Sequence, residues 1–140
     1  MNRFRFTPCA VLLAVALQGA GPAPIPPPPS PCDPLTVFFA AESAELGDRE
    51  RAIVREAARL ALDRRITAAV DAHSDAAESD PDALAVRRAK AVTEELVRDG
   101  VMARDIEALS LGSMESPFPN PKSDADRAQN RRVAIDLCVD

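Results

Sequence analysis

Two stretches of this sequence carry residues able to grip a charged ligand. The first, Asp71-Ala72-His73-Ser74-Asp75, closes a run in which Ile66, Ala68 and Val70 alternate as in a strand. The second is Arg88. On a wheel turning about 100° per residue, Leu84, Ala85, Ala89, Val92 and Leu96 share one apolar arc; Arg88 falls inside it and Arg87 outside. An arginine on a packing face stays charged and must find an anion. A strand end and the start of the helix that follows lie at one edge of a sheet. Asp75, at the end of that strand, is therefore the candidate anion, and the two side chains are expected at one rim. Two readings fit: a structural ion pair, or a site where the carboxylate takes a ligand ammonium and the guanidinium fork takes a ligand carboxylate.

Other chemistries fit less well. His73, Ser74 and Asp75 are the residue types of a hydrolase triad, but neighbours on a strand point to opposite faces and cannot form the relay. Asp71, Asp75, Glu78, Asp80 and Asp82 are rich in carboxylate, yet the run lacks the glycine turn and closing glutamate of a calcium loop. A zinc site built on the single histidine would need Cys32 or Cys138. No metal, cofactor or enzymatic activity is expected. Arg127, Arg131 and Arg132 cluster beside a closing strand in which Arg131 shares the face of Val133 and Ile135. They form either a solvated basic edge or a support for the site.

The elements that must position these residues follow from periodicity. Leu35 to Phe39 is a short apolar strand. Gly47-Asp48 opens a helix with Ile53, Val54, Ala57, Leu60 and Ala61 at helical spacing. Arg65 to Ala72 reads as a second strand. Pro81 opens a second helix that runs to Asp99 and stops at Gly100. Ile106 to Leu111 is a third strand. A loop with Pro117, Pro119 and Pro121 runs from Gly112 to Asp124, and Asp126 to Asn130 has room for one helical turn. Val133, Ile135 and Leu137 alternate as the last strand. The expectation is an α+β two-layer sandwich, β-α-β-α-β-β, with helices on one face of a mixed four-stranded sheet.

Residues 1–20 read as a secretory signal: Arg3 and Arg5, then the apolar run Cys9 to Leu17, then small residues. That run falls short of the about 20 residues a spanning helix needs, so no transmembrane span is expected in the mature chain. Eight of the 13 prolines lie between Pro22 and Pro34, making residues 21–34 a semi-rigid spacer ahead of a domain at 35–140. After export Cys32 and Cys138 would remain, flanking the domain. They are either a disulfide candidate or two free thiols. A bridge would close a loop of about a hundred residues, worth up to about 4–5 kcal/mol in the chain-entropy account.

Composition removes several partners. With no Trp, no Tyr and 5 Phe, the chain lacks stacking platforms for single-stranded nucleic acid. A net charge of -5 does not suit a duplex binder, and there is no polybasic patch for anionic lipid.

Four motifs in order resemble the OmpA-like C-terminal domain family, which includes the Pal and MotB peptidoglycan-binding domains. Val37-Phe38-Phe39 with Ala44-Glu45-Leu46 resembles the opening strand and turn, and His73-Ser74-Asp75 the family's His-Thr-Asp. Leu84-Ala85-Val86-Arg87-Arg88-Ala89, with Val92 and Leu96, resembles its Leu-Ser-x-Arg-Arg-Ala helix. Arg127-Ala128-Gln129-Asn130-Arg131-Arg132-Val133 follows the closing signature almost letter for letter. The resemblance implies noncovalent binding of peptidoglycan through the meso-diaminopimelate residue of the stem peptide. Asp75 would take the ammonium and Arg88 the carboxylate, with His73, Ser74, Asn130 and Arg131 in support. It also implies the periplasm or cell envelope of a Gram-negative bacterium, where other envelope proteins are further candidate partners.

The chain departs from the family pattern in places. Ala40 stands where the family usually has Asp at the end of the first strand, and Ala72 replaces the usual Gly before the histidine. The segment between Asp75 and Leu84 is shorter and lacks the family's glycine and Tyr-Asn pair. The alternative expectation is therefore a scaffold or interaction domain that keeps the fold and has lost wall binding.

Overall fold

The computed structural model describes residues 33–138. The signal expected at 1–20, residues 21–32 of the spacer, and Cys32 of the disulfide candidate lie outside the described residues. Cys138, the other half of that candidate, is the last described residue.

Strand order in the sheet differs from chain order. The elements are β1 (Leu35–Phe38), α1 (Asp48–Arg64), β2 (Ala68–His73), α2 (Pro81–Arg98), a 3-10 turn (Ala103–Asp105), β3 (Ile106–Gly112), α3 (Asp124–Asn130) and β4 (Arg132–Asp136). The sheet runs β1-β4-β2-β3. β4 pairs antiparallel with both β1 and β2, whereas β2 and β3 are parallel. Parallel neighbours need a crossover, and α2 provides it. This is the mixed α+β sheet with packed helices that the periodicity predicts.

The core is aliphatic, as the composition requires. Val37, Val70, Val133 and Ile135 project from one sheet face onto Val54, Ala57, Ala58 and Ala61 of α1 and Ala85, Ala89, Val92 and Leu96 of α2. Each buried valine or leucine contributes about 1.5–3 kcal/mol. Val86 and Val97, which break the apolar arc of α2, are exposed. The arc is therefore the packing face, and Arg88 lies on it.

Two boundaries differ by more than one residue from the periodic reading. β2 begins at Ala68, not Arg65, because Arg65 turns left-handed (φ 56°) to end α1. The Ile66 amide then donates to Ala61 O at 3.1 Å, so residues 65–67 belong to the turn. α3 begins at Asp124, where Ser123 and Asp126 form a reciprocal capping box that starts the helix ahead of its first apolar residue.

At the site's edge, β2 bulges between Ala72 and His73, and the Ser74 amide continues the pairing to Gly112 O at 2.8 Å. Gly112 has φ 57°, and a Cβ there would collide with the Asp82 carboxylate in the first turn of α2. Glycine is required for β3 to end so close to the start of that helix.

Candidate functional site

Arg88 enters the site from α2, where Asp80 caps the helix through Ala83 N (3.2 Å) and Pro81 starts it. Its side chain is 0% exposed. Nε donates to Ser43 O (2.9 Å). Nη1 donates to Glu78 Oε2 (2.8 Å) and His73 O (3.3 Å), and Nη2 to Glu78 Oε1 (2.6 Å) and Ala40 O (3.3 Å). A guanidinium has five N–H donors, so all are assigned. The Phe39 ring lies 5.3 Å below its carbon, a cation–π contact that adds to the confinement.

Glu78 is thus the anion that Arg88 finds, by a two-pronged pairing, rather than Asp75. It reaches inward from the loop between β2 and α2. Its two oxygens also accept the backbone amides of Glu42 and Asp75, each at 3.0 Å. Burial alone would raise its carboxyl. The hydrogen bonds from Arg88, Asp75 and Glu42, with the Arg88 charge, outweigh burial and hold it below the usual carboxylate range. The loop is fixed from the far side as well. Glu42, itself left-handed at φ 58°, accepts from Ser79 N (2.8 Å) and Ser79 Oγ (2.6 Å).

Asp75 lies one shell away, 1% exposed. Its Oδ1 accepts Ala77 N at 3.0 Å and its Oδ2 accepts Asn130 Nδ2 at 2.7 Å. Asn130 also exchanges two hydrogen bonds with the backbone of Phe118, at 2.9 and 3.1 Å. One amide therefore pins both Asp75 and the proline-containing loop. Arg131 donates from Nε to Phe39 O at 3.2 Å. Beside this cluster opens a cavity of about 420 Å³ lined by Ala41, Glu42, Asp75, Ala77, Glu78, Asp124, Arg127 and Arg131. It presents four carboxylates and two guanidiniums. Arg88 is absent from its wall, which its partner Glu78 lines.

The residues singled out in the sequence divide accordingly. Asp75 and Arg131 line the cavity, Asn130 bonds Asp75, and Arg88 pairs with the Glu78 of its wall. His73 contributes its carbonyl to Arg88, but its ring turns away to Met114 O, 3.3 Å from Nδ1. Burial, with the Arg132 charge acting in the same direction, pushes the imidazole below its usual range, so it is neutral near pH 7. Ser74 is fully buried, and its Oγ has no hydrogen-bond partner among the described residues. The serine-histidine-aspartate relay is not assembled, since Asp75 bonds Asn130 rather than His73. Among the described residues no His, Cys, Asp or Glu group is arranged to hold a metal ion. Asp80 caps α2 and Glu78 grips Arg88.

Sequence reasoning met Glu78 only within a carboxylate-rich run set aside as a calcium loop, and missed its pairing with Arg88. Half of the signal was present: Arg88 needs an anion, but Asp75 and Glu78 both stand ahead of the helix and the sequence does not choose between them. Glu42 carried no such signal, because its clamp depends on a turn 36 residues away from Glu78.

The profile of the OmpA family matches residues 38–131. The chain belongs to the OmpA family. The peptidoglycan-associated lipoprotein of Burkholderia pseudomallei superposes with TM-score 0.65 at 27% identity, over 72% of this chain and 87% of that one. The C-terminal domain of Helicobacter pylori MotB superposes with TM-score 0.68 at 26% identity, over 77% and 86%. The OmpA-like domain of FopA1 from Francisella tularensis shares the fold, with TM-score 0.63 at 20% identity over 71% and 68%. No curated protein sequence matches. In this OmpA-family domain the matched span includes every residue that lines the rim cavity and Arg88 as well.

Proposed function

We propose that this OmpA-family domain binds peptidoglycan noncovalently at the rim cavity, without catalysis. The ligand is the diaminopimelate end of a stem peptide. Asp75 meets its ammonium and Arg88 its carboxylate, while Asn130 and Arg131 hold the walls. The reading extends to the whole chain as an exported envelope protein: a signal at 1–20, a spacer at 21–34, the binding domain at 35–140, and a Cys32–Cys138 bridge closing it. One observation carries the binding proposal. A carboxylate and a guanidinium converge within one hydrogen-bonded cluster beside an open cavity of about 420 Å³. The similar chain named a peptidoglycan-associated lipoprotein supports it. Charge-assisted hydrogen bonds at the two ends would contribute about 1.5–3 kcal/mol each. Repeated sites along one polymer would raise the avidity further.

A second reading has its own observation. All five donors of Arg88 are already engaged, which suits a scaffold that keeps the fold without the wall ligand. Sedimentation with purified sacculi separates the two. The wall-binding domain co-sediments, and Asp75→Asn stays in the supernatant while retaining its folded circular-dichroism spectrum. Equal sedimentation of both proteins rejects Asp75 as the ammonium receptor. No sedimentation of either favours the scaffold.

A further inference from the structure

Glu78 is held as a bound ligand would be held. Four donors converge on its two oxygens: Arg88 Nη1 and Asp75 N on Oε2, and Arg88 Nη2 and Glu42 N on Oε1. This is a complete bidentate receptor for a carboxylate, assembled from three separate segments of chain: the turn after β1, the end of β2 and the second turn of α2. Its occupant comes from a short loop whose neighbours Ala76, Ala77, Ser79 and Asp80 are exposed. The occupant also lines the cavity, and Arg88, which it pairs with, does not.

We propose that Glu78 is an internal surrogate ligand, a carboxylate of this chain that fills the receptor and that an external carboxylate entering from the rim cavity must displace. Exchange of one carboxylate for another leaves the four donors satisfied, so it does not strand the buried guanidinium. The displaced Glu78 has a destination. Arg127 lines the same cavity, is 38% exposed, and is paired only loosely, at 3.6 Å, with the exposed Asp124. Glu78 would thereby set both the strength and the selectivity of the site. A ligand bearing a free carboxylate displaces it, while one whose carboxylate is amidated lacks the charge to compete and is held by Asp75 alone. Identification of the incoming group with diaminopimelate rests on the wall-binding reading above. The surrogate role of Glu78 does not.

The experiment has two arms so that the ideas fail separately. In the first, thermal melting of Glu78→Ala is followed in chloride buffer with increasing acetate. A saturable rise in Tm, absent in the wild type, is expected from an emptied carboxylate receptor; no rise overturns the surrogate role. Glu78→Gln, which keeps the side chain's shape, covers the case in which the alanine variant does not fold. In the second arm, diaminopimelate with one amino-acid end blocked in peptide linkage, and the other end bearing either a free or an amidated carboxyl group, is titrated into wild type, Glu78→Gln and Asp75→Asn. The expected result is at least tenfold tighter binding of the free acid by Glu78→Gln, with a larger preference over the amide than in wild type. In the wild type, the ¹³C resonance of the Glu78 carboxyl should move on saturation with the free acid and stay still with the amide. Wild-type binding with a stationary Glu78 resonance and no gain in Glu78→Gln overturns the surrogate while leaving the wall ligand in place. Acetate rescue with no response to diaminopimelate in any variant supports the surrogate and overturns the wall ligand.

Discussion

Two glutamates of this domain are buried against arginines, on either side of the segment that leaves β1, and they are built in opposite ways. At the rim, Glu78 and Arg88 have side chains only 4% and 0% exposed. In the groove between α1 and α2, Glu95 is just as enclosed at 7%, but its partners Arg51 and Arg98 are 42% and 62% exposed. A cavity of about 330 Å³ adjoins that second pair as well. The groove therefore offers charge, enclosure and space, and still lacks a fixed receptor, because its guanidiniums can turn to water. At the rim every donor has one assigned acceptor, and the geometry is set before any ligand arrives. Commitment of the guanidinium, more than the presence of a charge pair in a cleft, marks the rim as the place for recognition.

The comparison breaks most visibly at Arg88. Arg88→Met should destabilise the domain by about 3–5 kcal/mol in urea unfolding, because Glu78 is left as a buried, uncompensated charge. Replacing both residues by methionine should recover only part of that loss: no charge is left to desolvate, but the backbone groups the pair satisfied lose their partners. A single-variant loss below about 1 kcal/mol would place the pair among ordinary surface bridges. Acid probes the same contact. The native carboxyl of Glu78 lies below its ordinary value of 4.5, so its stabilisation is complete above that pH and drains as pH falls through the lower native value. The charge facing it is Arg88, while Asp75 and Glu42 reach it through their backbone amides. In Glu78→Gln the acid limb of stability, measured by urea midpoints from pH 6 downward, should flatten below 4.5. An unchanged limb would assign the acid sensitivity to other carboxylates.

The rim was partly legible before any coordinates, for reasons that differ residue by residue. Helical spacing alone put Arg88 on the packing face of α2, and strand-to-helix connectivity put Asp75 at the same edge. Both inferences need only local periodicity. The sheet followed from β2-α2-β3 and the alternation of Val133 and Ile135 in β4. The identity of the anion was not legible, because loop conformation decides it: Glu42 clamps Ser79 from a distant turn, while Arg88 and two backbone amides hold Glu78 inward. The same limit applied to residues 65–67. Arg65 there follows helix-ending geometry that an alternating Ile66, Ala68 and Val70 conceals.

A smaller effect sharpens the comparison at Asn130. Its amide is the only described side chain bonded to Asp75, and it also carries Phe118. Asn130→Ala leaves Asp75 Oδ2 and the Phe118 backbone unpaired in a buried place. It should cost about 1–3 kcal/mol in urea unfolding. Sacculus sedimentation should weaken in parallel, since the ammonium receptor loses the hydrogen bond that orients it. A variant that unfolds more easily yet sediments like wild type would assign Asn130 to loop anchoring alone.

The smallest effect is expected where the groove is tested by the same operation. Arg51→Ala removes one of the two cations on Glu95, at 3.1 Å, and leaves Arg98 on the same oxygen. Because Arg51 is 42% exposed, the lost attraction is largely screened, and the change should be about 0–1 kcal/mol. Sedimentation with sacculi should match the wild type. Glu95 is already paired with a second cation, whereas Glu78 is paired with Arg88 alone, so a large loss of stability or wall binding in Arg51→Ala would erase the distinction between the two pairs. It would move the candidate site to the cavity between α1 and α2.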